Sequence, residues 1–202
     1  SVPLQYNRDE YGGANEGASV SRLVIQPVIP FSLNEDWNLI TRTLIPLIDQ
    51  ADFPVDALNE SGLGDITPSF FFSPKAPTAG GWIWGAGPVF LLATGSDDLL
   101  SVKKWGAGPT GVALKQEGPW TYGLLANHIW SFAGSGKQDV NATFVQPFVS
   151  YTTPTAWSFT LNTESTYDWE REQWAVPINA IVSKVTKIGG QLLSIGGGAR
   201  YW

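Results

Sequence analysis

Trp157-Ser158-Phe159-Thr160-Leu161-Asn162-Thr163-Glu164 places an aromatic or aliphatic side chain at alternate positions, with hydroxyl, amide and carboxylate groups between them. Successive side chains of a strand point to opposite faces. Trp157, Phe159 and Leu161 therefore make an oily face, and Ser158, Thr160, Asn162 and Glu164 a wet one. The next segment repeats the pattern: Trp174, Val176, Ile178, Ala180 and Val182 oppose Gln173, Asn179 and Ser183, with Pro177 on the polar face. Its length is close to the roughly 9 to 11 residues of a tilted strand that crosses a bilayer.

Working outward, the same period recurs. Leu23, Ile25, Pro27, Ile29 and Phe31 oppose Arg22, Val24, Gln26 and Val28, while Ile66, Pro68, Phe70 and Phe72 oppose Asp65, Thr67, Ser69 and Phe71. Trp37, Leu39, Thr41, Thr43 and Ile45 leave Asn38 and Arg42 on the other side, and a charge inside such a strand is tolerated where it meets water or a partner. With the stretches Val2 to Arg8, Trp82 to Leu92, Trp105 to Gln116, Trp120 to Phe132, Asn141 to Tyr151 and Leu192 to Trp202, the chain reads as about eleven strands in an antiparallel up-and-down meander.

The ten tryptophans fit that reading. Trp37, Trp82, Trp84, Trp105, Trp120, Trp130, Trp157, Trp169, Trp174 and Trp202 all flank alternating segments. An indole is apolar in body and carries one N–H donor, so it settles at the headgroup level, and barrels concentrate Trp in two belts there. The expected membrane-interface set is these ten. The expected lumen-lining set is Arg22, Gln26, Asn38, Arg42, Asp65, Thr67, Ser158, Thr160, Asn162, Glu164, Gln173, Asn179 and Arg200. Connections alternate between short turns, such as Lys115 to Pro119, and longer polar loops at Asp9 to Ala18, Ile48 to Glu60, Thr94 to Lys104 and Ala133 to Asp139, as periplasmic turns and outer loops do.

Composition excludes several classes. No run approaches the roughly 18 to 20 apolar residues of a membrane helix. Cysteine is absent, which removes thiol metal sites and redox chemistry. The 18 acidic against 12 basic residues, net −6, supply no basic stripe for nucleic acid. Methionine is absent too, so Ser1 is not a translation start, and a cleaved secretory signal is expected upstream. No cofactor and no metal site is expected: the acidic pairs Asp97-Asp98 and Glu35-Asp36 lack the ligand spacing of a calcium loop.

The single imidazole, His128, shares a face with Tyr122, Leu124 and Ala126, while Ser131 points the other way, so no hydrolase pair forms on that strand. His128 reads as structural and the chain as a non-enzyme. An odd number of strands leaves both edges running in one direction. Because unpaired backbone in hydrocarbon costs several kcal/mol per group, one further strand, about twelve in the intact protein, is expected to close the barrel. Residues 1–202 are then one outer-membrane barrel domain lacking that strand.

Several runs carry a family resemblance. Gly-Leu-Gly-Asp-Ile-Thr-Pro-Ser from Gly62, Trp-Gly-Ala-Gly-Pro from Trp84 and again from Trp105, Leu-Leu-Ala-Asn-His-Ile-Trp-Ser from Leu124, and Thr-Glu-Ser-Thr-Tyr-Asp-Trp from Thr163 resemble small Gram-negative outer-membrane barrels labelled transporters. That family is related to outer-membrane proteins of the meta-pathway of phenol degradation. The resemblance implies the outer membrane, passive transport, small aromatic or hydrophobic solutes, and relatives that continue past Trp202 by one strand. A second reading is a plugged scaffold whose outer loops or edge dock a protein partner. A soluble lipocalin-like barrel is the third, and it has no reason to ring its strand ends with Trp.

Overall fold

The computed structural model describes residues 1–10, 17–52 and 59–202. Parts of the loops expected at Asp9 to Ala18 and Ile48 to Glu60 lie outside the described residues. Fifteen strand segments follow in order: β1 (Leu4–Glu10), β2 (Ser19–Ile25), β3 (Val28–Ser32), β4 (Trp37–Ala51), β5 (Glu60–Leu63), β6 (Thr67–Pro74), β7 (Trp82–Leu91), β8 (Lys104–Glu117), β9 (Trp120–Gly134), β10 (Asn141–Thr152), β11 (Trp157–Thr163), β12 (Ser165–Asp168), β13 (Gln173–Ala175), β14 (Ile178–Ile188) and β15 (Gln191–Tyr201). There is no helix among the described residues.

All pairings are antiparallel, and the segments build eleven wall strands. Four of those strands are broken in two. β2 and β3 both pair with β4, as do β5 and β6; β11 and β12 both pair with β10, and β13 and β14 pair with β12 and β11. Two of the breaks fall at a proline, Pro27 and Pro177, whose ring nitrogen offers no N–H to a ladder.

β4 runs further than its hydrophobic pattern suggests, through Asp49 and Gln50 to Ala51. Those positions pair with β2 on one side and β5 on the other, so sheet hydrogen bonding extends the strand into a polar stretch. The loops follow the expected alternation, with one exception: residues 169–172 form a short turn at the long-loop end.

The sheet curls until its two ends face one another across a cavity. Residues of β1 and of β15 line one cavity of about 440 Å³ together with Gln146 and Glu164. Among the described residues β1 and β15 are not hydrogen-bonded to each other, so the wall is an open ring. Close strand approach on the far side relies on missing side chains: a Cβ on Gly108 falls 1.7 Å from the His128 carbonyl oxygen, and one on Gly87 falls 2.1 Å from that of Phe70.

Burial is inside-out relative to a water-soluble domain. Among the described residues, buried positions include Asp9, Gln50, Ser69, Ser73, Thr110 and Asn179, whereas Phe159, Leu161, Val176, Ile178 and Val182 are 41–52 % exposed. A soluble sandwich or barrel hides its apolar face, and a contiguous exposed apolar band marks contact with something other than water.

Candidate functional site

Register fixes which side chains share the inner face. Asn7 lies opposite Arg22, Arg22 opposite Ile48, Val28 opposite Arg42, Asn38 opposite Ser73, and Thr67 opposite Leu44. Across the other half, Ser150 opposes Thr160, Asn162 opposes Asn179, and Asn179 opposes Arg200. Ser158, Glu164 and Gln173 follow by the period of two. The register thus puts Arg22, Asn38, Arg42, Thr67, Thr160, Asn162, Asn179 and Arg200 on one face, opposite the face of Trp157, Phe159 and Leu161, and Gln26 hydrogen-bonds to Arg42 on that same face; Asp65 lies in the break between β5 and β6, where the register slips by one residue.

Many of these groups are connected. Arg22 Nη1 donates to Asp9 at 3.3 Å, Gln26 Nε2 donates to Gln5 at 3.0 Å, and Arg42 Nη2 donates to Gln26 at 3.0 Å. On the facing strands Asn179 Nδ2 donates to Asn162 at 2.8 Å. Arg200 donates from Nε to Asn179 at 2.8 Å and from Nη2 to Glu164 at 2.5 Å. Gln146 Nε2 reaches the other Glu164 oxygen at 3.4 Å. Arg42 and Glu164 lie within electrostatic range of one another, so the two clusters face each other across the interior. Gln5, Asp9 and Gln146 were missed by sequence reasoning. The alternation Phe144, Gln146, Phe148 was the available signal for the last.

The rest of the inner face is different. β6 to β10 present Phe71, Val89, Val112, Leu125, Phe144 and Phe148 inward. Ser69, Thr110, Asn127 and Gln146 stand among them on the same face, so the inner face of these strands mixes aromatic and aliphatic groups with polar ones.

Asp65 does something else. It accepts from the Gly95 amide at 3.0 Å, the Ser101 hydroxyl at 2.7 Å and the Val102 amide at 2.8 Å. Ser96 Oγ accepts from the Leu63 amide at 3.0 Å. These bonds fold the β7–β8 loop against the break between β5 and β6 and bury Leu100. Below that loop lies an apolar cavity of about 480 Å³ reaching Leu91, Ile129 and Phe144. Above it opens a polar vestibule of about 830 Å³ that includes Lys103, Asp139, Asp168 and Arg171. The two share Ser101, Val102, Val140 and Ala142. The apolar pair Leu99-Leu100 inside an acidic loop was the sequence sign of this inward fold.

In the vestibule Lys104 Nζ donates to Asp139 at 2.7 Å, and that bond with the ammonium charge holds the Asp139 carboxyl below its ordinary range. Asp97 accepts from the Leu99 amide at 2.8 Å, and Asp98 pairs with Lys103.

The tryptophans sort into two rings. Trp37, Trp82, Trp84, Trp120 and Trp157 stand at the short-turn end; Trp105, Trp130, Trp169 and Trp174 stand at the long-loop end. All are 36–54 % exposed. From Trp120 to Trp130 is ten residue steps, and at about 3.4 Å per residue and roughly 45° of tilt that is about 25 Å, the height of a barrel's apolar band. Trp37 meets Trp84 edge-on at 6.0 Å, and Trp120 meets Tyr151 at 5.0 Å. Trp202 is placed differently from the rest, its ring 5.6 Å below the Arg200 guanidinium.

His128 lies on the outer face within the long-loop ring. Its Nδ1 is 2.7 Å from Thr143 Oγ1, its ring is 4.0 Å from that of Trp130, and Trp169 Nε1 donates to the same hydroxyl at 2.8 Å. Those partners tie the histidine to the belt.

No family model and no curated protein matches the chain. A crystal structure does: an outer membrane channel from Pseudomonas putida F1 is similar over 98 % of this chain and 85 % of that chain, with a TM-score of 0.71 and 16 % sequence identity. What the likeness carries is the fold, an antiparallel up-and-down barrel wall of the kind that builds an outer-membrane channel.

Proposed function

We propose that this chain is the wall of an outer-membrane channel that passes small amphipathic solutes, aromatic ones among them, without catalysis. The observation that carries the reading is the inverted burial: a connected polar inner face, an apolar outer face and two tryptophan rings about 25 Å apart, which matches the apolar band of a spanning barrel. The named activity of the similar structure supports the same class of function. The mixed inner face supports the solute class, because an aromatic molecule with one polar group meets Phe148 directly beside Asn162, with Asn179 and Arg200 on the next two strands. The family resemblance carried by the sequence runs from Gly62, Trp84 and Leu124 implies the same solute class.

In this reading the lumen-lining residues are those of the inner face, and the lipid bilayer is the partner of the outer one. β1 and β15 run in the same direction, since ten antiparallel steps separate them. One further antiparallel strand between them, twelve in all, closes the wall. Planar-bilayer conductance of the protein, with flux of phenol into liposomes, tests the channel. Steady conductance and faster phenol entry are expected. A wall that never conducts and admits nothing overturns the reading in favour of a plugged scaffold, for which the buried Leu100 of the inward loop is the supporting feature.

A further inference from the structure

The cavity beneath the inward loop has a floor, a roof and a mouth, each supplied by a different part of the chain. Its floor is one cross-strand row of the inner face, in which Thr110 lies opposite Asn127, Asn127 opposite Phe144, and Phe144 opposite Thr166. One aromatic ring is thus flanked by an amide and a hydroxyl. The roof is Leu99, Leu100 and Val102 of the loop, held down by the bonds to Asp65, and Leu91 and Ile129 add to the apolar lining. The mouth faces the vestibule, which shares Ser101, Val102, Val140 and Ala142 with the cavity.

The polar groups of the floor divide into one that the fold uses and two that it does not. Thr110 is 4 % exposed, and its hydroxyl donates to the Ala126 carbonyl at 3.3 Å, as enclosed polar groups ordinarily do. Asn127 and Thr166 line the cavity half-buried, and among the described residues neither side chain has a hydrogen-bond partner. An amide and a hydroxyl in a mostly apolar enclosure stand at a cost unless something in the enclosure bonds to them. A mainly apolar cavity with a few convergent polar groups is the form of a small-molecule site, and its volume of about 480 Å³ lies within the roughly 300 to 1,000 Å³ of such sites.

Charge sorts the ligand. Among the lining residues Asp65 alone is ionisable, and its oxygens accept from Gly95, Ser101 and Val102. A solute carboxylate would find no cation there and one carboxylate beside it, an unpaired charge in an apolar setting. A neutral ring packs against Phe144 and the leucines of the roof. Its hydroxyl takes from Asn127 and Thr166 the bonds it gives up to water.

We infer that this cavity is a saturable binding site for a neutral, hydroxyl-bearing ring, bonded by Asn127 and Thr166, packed on Phe144 and roofed by Leu99 and Leu100. The inference rests on the channel reading and adds to it a station on the route, filled from the vestibule.

Binding of 4-fluorophenol to the protein in nanodiscs, followed by fluorine NMR against empty nanodiscs, tests the site without requiring transport. Saturable binding above the lipid background is expected. Asn127→Leu and Thr166→Val keep the volume and delete the polar group. Each is expected to weaken 4-fluorophenol binding about fivefold to tenfold, the effect of one lost hydrogen bond, and to change fluorobenzene binding by less than about twofold, since that ring makes no such bond. Leu100→Trp fills the cavity from its roof and is expected to abolish binding of both, and 4-fluorobenzoate is expected to stay unbound. Folding of each variant is checked by the mobility of unheated protein on gels. Uptake that never saturates, equal effects of the two polar substitutions on 4-fluorophenol and fluorobenzene, or 4-fluorobenzoate bound as tightly as 4-fluorophenol overturns the inference. Conductance and phenol flux without saturable binding also overturn it and leave the channel reading standing, whereas saturable binding to a protein that never conducts supports the site and defeats that reading.

Discussion

Arg200 of β15 reaches across β14 to Glu164, its Nη2 2.5 Å from Oε2 while its Nε donates to Asn179. One guanidinium therefore ties three wall strands together on the inner face, close to the open edge. Both side chains are largely shielded from water, at 17 % and 24 % exposure, so removing one partner leaves the other poorly solvated. Glu164→Ala is expected to lower stability by about 1 to 3 kcal/mol, the range for orphaning a charged hydrogen-bonding group. In a conducting protein it also shifts selectivity toward anions, because a carboxylate leaves the lumen while Arg200 and Arg42 stay. Urea unfolding in lipid and the reversal potential under a salt gradient measure the two effects separately.

The facing of β11 and β14 gives a sharper contrast. Ile178 is 49 % exposed on the outer face, whereas Thr160 points inward and donates to Ser150 at 2.9 Å. Ile178→Arg places a charge near the middle of the apolar band and is expected to cost about 2 to 4 kcal/mol, with Thr160→Arg costing far less. Equal losses in the same refolding assay contradict the assignment of faces.

Most of this wall was legible in the sequence because barrel strands obey a period of two that survives local irregularity. β11 and β14 were read residue by residue, and the register places Trp157, Phe159, Leu161, Ile178, Ala180 and Val182 on the one face that sequence alternation gave them. The His128 strand was ambiguous because Tyr122, Leu124, Ala126 and His128 oppose Gly123, Leu125, Asn127 and Ile129, two faces of similar polarity. Only pairing with β8 and β10 decides it. The breaks at Pro27 and Pro177 were invisible as breaks, since a proline preserves alternation while deleting a ladder bond, and the one-residue slip between β5 and β6 is set by pairing with β4. The anchoring role of Asp65 was hidden for another reason: its three donors lie 30 to 37 residues away, and no local pattern encodes that contact.

Asp65 is accordingly expected to control the inward loop. Asp65→Ala removes the acceptor for the Gly95 and Val102 amides and the Ser101 hydroxyl at once, and losing bonds to a carboxylate costs about 1.5 to 3 kcal/mol. Local detachment is the expected form of that loss, since a loop held by few contacts opens below the global unfolding energy. Faster amide exchange at Gly95 and Val102, with β8 and β9 still protected, is the outcome that supports the clamp. Larger or noisier single-channel currents accompany it.

Asp139 offers a pH-dependent test at the vestibule. Lys104 donates to it at 2.7 Å, and this bond, reinforced by the ammonium charge, depresses the folded-state carboxyl below its ordinary range. A depressed acid binds fewer protons folded than unfolded, so the tether is fully present above the ordinary carboxylate range. It is lost as pH falls through the depressed value. Lys104→Ala removes the cause, and the Asp139 titration is expected to move upward toward that of a free aspartate. Carbon chemical shifts of the Asp139 carboxyl, followed from neutral to acid pH in nanodiscs for both proteins, check this. Coincident titrations show that the Lys104 bond is not formed in solution.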